Sequence, residues 1–232
     1  IVLLPLIGFL TFFVVSTANA GTFSMGVSAQ LNDLDTAASE DIDNNGSTDE
    51  TKSVSDTVAT PSIFAEYSMD LMGANLTLGI DLIPLSAEID KREISQTTCG
   101  AKAAGACGEG GNNGGSGNNS AAGTIKNHIT IYVQPSFEIA ANTSAFLTAG
   151  FAMADVEGRS KSLTSTDVSE NRDLEGWKFG LGLKHSLSDS TFVKIDYSYT
   201  DYDSVSWTTS NSTKGTADIE NSNIGLSIGT NF

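Results

Sequence analysis

Asp41, Asp43, Asn45 and Asp49 place oxygen-bearing side chains around Gly46, which is how a calcium-binding loop opens. The twelfth position is Lys52 where a bidentate Glu belongs, and no helical periodicity flanks the tract. An acidic, solvated surface loop is therefore the first reading, and calcium at these four residues is the alternative. Cys99 and Cys107 stand close together in a Gly/Ala-rich stretch, and in an exported chain such a pair defaults to a small disulfide loop. Zinc is the weaker reading for them, because a structural site takes four ligands and His128 and His185 are the chain's two histidines. The fragment His185-Ser186-Leu187-Ser188 pairs a base with hydroxyls, but no carboxylate is positioned to orient His185. No catalytic residue and no cofactor is expected.

A second set of charges has a different setting. Glu66, Asp81, Lys178, Lys184, Lys194 and Asp196 each alternate with apolar neighbours. Their position depends on the elements that carry them, and the dominant signal along the chain is a period of two. Segments with this period lie near 22–31, 60–69, 73–83, 127–137, 143–154, 175–187, 191–202 and 221–232. In the first, Phe23, Met25, Val27, Ala29 and Leu31 share one face, with Ser24, Gly26, Ser28 and Gln30 on the other. In the last, Ile224, Leu226, Ile228 and Phe232 alternate with Asn, Gly and Ser. The second segment fits less cleanly, since Phe64 falls on the polar side, as Tyr132 and Phe146 do in theirs. A closed eight-stranded barrel has an interior just wide enough for side chains to fill, so inward aromatics are acceptable there. The six charges then face the lumen. Two lysines in so confined a space repel unless carboxylates lie between them. The expectation is a network of Lys184, Lys194, Asp196 and Glu66 near the turn end, with Asp81 and Lys178 above it, that fills and neutralises the interior.

Connection lengths point the same way. Three links are tight (69–73, 139–142 and 188–190) and four are long and polar (32–59, 84–126, 155–174 and 203–220). Short turns at one end and long loops at the other are the pattern of outer-membrane barrels. Outward aromatics form two levels, Phe23, Tyr67, Phe137 and Phe232 near the turns and Phe151, Trp177 and Tyr199 near the loops. Such girdles mark the two membrane interfaces. A soluble lipocalin-like barrel would bury the apolar face and put charge outside, whereas the polar face here is Gly, Ser and Asn with few charges. The apolar run 1–15 followed by Ala18-Asn19-Ala20 fits a secretory signal whose leading basic region is missing, which leaves 21–232 as the barrel domain. A net charge of −16 excludes a phosphate-binding basic surface, so nucleic acid is not a partner.

The mature sequence resembles the eight-stranded outer-membrane β-barrel families of the OmpA-domain, OmpX and opacity-protein kind. The resemblance covers the whole pattern of strands, turns and loops and is most specific in the terminal strand, Asn223 to Phe232, with its final aromatic. It implies an all-β, antiparallel up-and-down barrel in the outer membrane of a Gram-negative bacterium. It also implies that Ile224, Leu226, Ile228 and Phe232 are read by the barrel-assembly machinery, with periplasmic chaperones as escorts. The expected role is structural or surface-interacting, with outer-membrane lipid around the wall and an extracellular ligand at the loops. A narrow channel is the alternative, and a lipid-modifying enzyme comes third.

Overall fold

The computed structural model describes residues 21–41, 46–48, 50–71, 74–96, 117–161, 168–208 and 214–232. They form β1 (Thr22–Asp41), β2 (Glu50–Leu71), β3 (Ala74–Ile83), β4 (Ala87–Gln96), β5 (Gly117–Ala140), β6 (Thr143–Lys161), β7 (Val168–Ser186), β8 (Thr191–Tyr202), β9 (Val205–Thr208) and β10 (Lys214–Asn231). Neighbours pair antiparallel in chain order, and β10 returns to β1 along the register Ser24↔Asn231 to Asp41↔Lys214, which closes the barrel. β4 continues the line of β3 beyond Pro84-Leu85-Ser86, and β9 continues β8 beyond Asp203-Ser204. The wall thus has the eight staves the sequence predicts. Tight hairpins join them at one end, Leu71 pairing with Ala74 and Ala140 with Thr143. Asn142 takes the positive φ of 60° that a two-residue turn demands.

The staves are much longer than predicted. About 9–11 residues of tilted strand cross a bilayer. β1, β2 and β5 run for 20, 22 and 24 residues. Much of the polar stretches assigned to loops, 32–59, 84–126, 155–174 and 203–220, is wall among the described residues, so that assignment is corrected. The reason is visible in β10. Ile224, Leu226 and Ile228 face outward, with Asn223, Gly225 and Ser227 inward. Above Ser222 the alternation keeps its period and reverses its sign: Asp218 and Glu220 face outward while Ala217 and Ile219 are buried. β1 reverses at the same height, with Asp33 and Asp35 outward and Leu34 buried. Such a change of apolar face is what a wall passing from lipid into water requires.

Above the reversal the wall also divides. β2 pairs with β3 only from Ile63 to Leu71, and β8 pairs with β7 only as far as Tyr202↔Gly176. The upper strands therefore form two four-stranded sheets, β9-β10-β1-β2 and β4-β5-β6-β7. Leu34 and Ile219 from the first meet Ile125, Ala152, Ala154 and Leu174 from the second, with Tyr202 at the end of β8. This head carries an apolar core of its own.

Candidate functional site

The lumen is the space, among the described residues, that could pass or hold a solute through the wall, so its filling decides what the barrel can do. Its lower part is closed by aromatic rings laid on glycines. Phe64 of β2 lies opposite Gly26 of β1, Tyr132 of β5 opposite Gly79 of β3, Phe146 of β6 opposite Gly182 of β7, and Phe192 of β8 opposite Gly229 of β10. Each of the four long hairpins contributes one ring and one glycine. The glycines are obligatory by space: an added Cβ would come within 2.3 Å of Phe64 or Tyr132 and 2.4 Å of Phe146 or Phe192. All four rings are buried.

Charges sit among these rings. Lys194 Nζ donates to Glu66 Oε1 at 2.5 Å, and Tyr132 Oη donates to the same oxygen at 2.8 Å. The Lys194 ammonium also lies 4.5 Å from the Phe64 ring centroid and 5.7 Å from that of Phe146, while Lys184 Nζ stands 3.9 Å over Phe192. Cation–π attraction of this kind adds to a desolvated ion pair. Of the expected network, one contact is a direct ion pair. Among the described residues Glu66 pairs with Lys194, whereas Lys184 is held by a ring and makes no ion pair with a carboxylate. Asp81 is anchored by hydroxyl and amide donors instead, accepting from Ser62 Oγ at 2.8 Å and Gln30 Nε2 at 3.4 Å. Lys178 and Asp196 line a small cavity together with Gln30, Asp81, Gln134 and Lys194. At about 40 Å³ it has room for a few waters.

A polar ladder binds β10, β1 and β2 around this level. Ser28 and Ser227 share a hydrogen bond of 2.8 Å, Asn32 donates to Thr60 at 2.8 Å, and Asn223 donates to Gln30 and Asn32 at 3.2 and 2.9 Å. Burying amides and hydroxyls is tolerable because they satisfy one another. The apolar core of the head closes the lumen above. His128 Nε2 and Tyr202 Oη share a hydrogen bond of 2.9 Å, linking β5 to the end of β8 across that closure. His185 is exposed on the outer wall and bonded through Nδ1 to Thr143 Oγ1 at 2.9 Å.

The aromatics expected in the girdles lie on the outer surface of the wall. Phe23 and Phe232 stand 6.0 Å apart at the turn end, where Phe232 N donates to Phe23 O. Phe137 is exposed at the same end, and Tyr67 lies cross-strand from Phe23. Phe151 and Trp177 meet edge-on at 5.4 Å in the upper girdle, with Tyr199 outward nearby. Ile224, Leu226 and Ile228 face the hydrocarbon beside Phe232. Of the proposed calcium tract, Asp41 Oδ2 accepts from Gly46 N at 2.8 Å. Asp43, Asn45 and Asp49 lie outside the described residues, as do Cys99, Cys107 and the segment 1–20. Among the described residues no group of acidic, His or Cys side chains is arranged to hold a metal. Sequence reasoning missed Phe192 and the ring-on-glycine rule. The signal was there, since each inward ring faces a glycine once the hairpins are aligned.

A search by sequence among characterised proteins returns no match. Among solved structures, OprG of Pseudomonas aeruginosa aligns over 92% of this chain and 97% of its own at 12% identity and a TM-score of 0.53. The outer membrane protease OmpT of Escherichia coli aligns over 95% and 99% at 7% identity and a TM-score of 0.52. Ail of Yersinia pestis covers 90% and 98% at 12% identity with a TM-score of 0.41. The first two share the fold. The profile of the outer membrane protein beta-barrel domain matches residues 6–232. The chain belongs to that family, as an antiparallel β-barrel of the outer membrane of a Gram-negative bacterium.

Proposed function

We propose that the barrel is a non-conducting, non-enzymatic scaffold that projects a rigid two-sheet head from the outer membrane for contact with an extracellular ligand. The observation that carries this reading is the double closure of the lumen, by the Phe64, Tyr132, Phe146 and Phe192 rings below and by the Leu34, Ile125, Leu174, Tyr202 and Ile219 core above. A solute path would have to displace both. The absence of catalysis rests on the histidines: His185 is held by Thr143 at the turn end and His128 by Tyr202, and neither hydrogen-bonds a carboxylate among the described residues. The resemblance of the terminal strand assigns Ile224, Leu226, Ile228 and Phe232 to recognition by the assembly machinery, after escort by periplasmic chaperones. Planar-bilayer recording of the refolded chain, run beside a cell-attachment assay with head variants, tests the proposal. No unitary conductance together with loss of attachment is expected. Stable ion steps would overturn the scaffold reading in favour of a channel.

A further inference from the structure

Where the wall divides, β2 keeps one paired neighbour among the described residues, with β4 within 8 Å at its nearest approach. From Glu50 to Ser62 it pairs along β1, and its pairing with β3 starts only at Ile63. Across the division β4 pairs with β5 among the described residues. The sequence builds the division in. Pro61 stands where β2 passes from two partners to one, and Pro84 ends β3 at the same height. A residue without an N–H is tolerated where a strand becomes an edge. Long edges are normally protected by lysine, proline, bulges or shortness. Between Ser53 and Thr60 the strand is Ser, Val, Thr and Ala apart from Asp56, a composition suited to pairing.

We infer that this edge is a strand-addition site for an extended polypeptide segment of a partner. The chemistry of that segment follows from the two faces of β2. Inward, Val54 and Val58 are half-buried on either side of Asp56, with Val58 at the margin of the head core, so an added strand would set apolar side chains beside the two valines. Outward, Ser55 and Thr57 lean toward Asp33 (3.4 and 3.1 Å), with Asp35, Asp218 and Glu220 on the same outer face. Basic or hydroxyl-bearing residues therefore suit the alternate positions, within the roughly 8–10 Å over which surface charges act. The ligand class is an extended segment in which apolar residues alternate with basic or hydroxyl ones. Main-chain hydrogen bonds supply its affinity and the alternation its specificity.

This inference rests on the surface-contact reading above, but its test does not depend on conductance or attachment. The refolded protein in micelles is followed by hydrogen–deuterium exchange, alone and with a synthetic decapeptide that alternates valine with lysine and threonine. The control is the same peptide N-methylated along one edge. Without peptide, alternate amides between Thr51 and Ser62 should exchange about tenfold faster than their neighbours bonded to β1, and the peptide should slow them about tenfold while the methylated one does not. The inference fails if those amides are already slow, because the chain's own residues then cover the edge. It fails if protection grows with protein concentration alone, which assigns the edge to a second copy, and if the two peptides act alike.

Discussion

Replacing Lys194 with methionine isolates the most consequential contact in the lumen. The side chain keeps most of its bulk and loses its charge, so Glu66, whose side chain is 1% exposed, is left without its counter-ion. Removing one member of a buried pair costs about 3–5 kcal/mol, because the remaining charge is desolvated and uncompensated. Tyr132 still donates to Glu66, and Phe64 still covers the site, so the wall itself should persist. Neutralising the partner as well should recover much of the loss: K194M/E66Q keeps an acceptor for Tyr132 and should cost about 1–3 kcal/mol. E66Q alone strands Lys194 and should also cost about 3–5 kcal/mol, so the double variant should cost about 2 kcal/mol less than K194M and fall well short of the sum of the two single costs. Urea titration in lipid vesicles, read by the fluorescence of Trp177 and Trp207 and by heat-modifiable migration, measures all three variants. A K194M protein within about 1 kcal/mol of the wild type, or strictly additive single variants, would refute the argument that this pair is buried and mutually dependent.

Other outcomes follow from the same geometry. Gly182→Val drives a Cβ against the Phe146 ring and the Ile195 carbonyl, 2.4 and 2.6 Å away, and should destabilise by about 1–3 kcal/mol. Phe146→Ala alone should cost about 3–5 kcal/mol, and in the double variant part of the glycine penalty should disappear, which the same urea titration reads. Leu174→Asp should open the head core, so limited proteolysis should cut above the girdle while the heat-modifiable barrel survives. Leu226→Arg should cost about 2–4 kcal/mol in vesicles, since it puts a cation against the hydrocarbon, whereas Glu220→Arg on the same face should stay within about 0.5 kcal/mol.

The lower wall was legible because lipid imposes one rule on it. Phe23 to Leu31 and Ile224 to Ile228 alternate in one phase, and the inward positions of Glu66, Lys184 and Lys194 follow by counting in twos. The upper wall obeys the same period with the opposite sign, so Asp33-Leu34-Asp35 and Asp218-Ile219-Glu220 read as polar loop. A reversal of phase without a break in period is the signal for a strand that leaves lipid and enters water. The charge network was legible only in outline, for another reason. Register places Lys184 opposite Lys194, but only the folded interior shows that Phe192 takes up the first and Glu66 the second. The four rings were half visible: Phe64, Tyr132 and Phe146 stood out as exceptions, and their glycine partners became meaningful only with cross-strand pairing.

Spin labels placed one at a time at Asp218, Glu220, Ser222, Ile224, Leu226 and Ile228 test the account most directly, because β10 carries the sign reversal in one uninterrupted strand. In vesicles, labels at 224, 226 and 228 should collide with dissolved oxygen and be shielded from a nickel chelate, and those at 218 and 220 should show the opposite, with the crossover at Ser222. Chelate access at 224–228 would mean that no hydrocarbon lies against the wall. Oxygen-dominated relaxation at 218 and 220 would mean that the head does not stand in water.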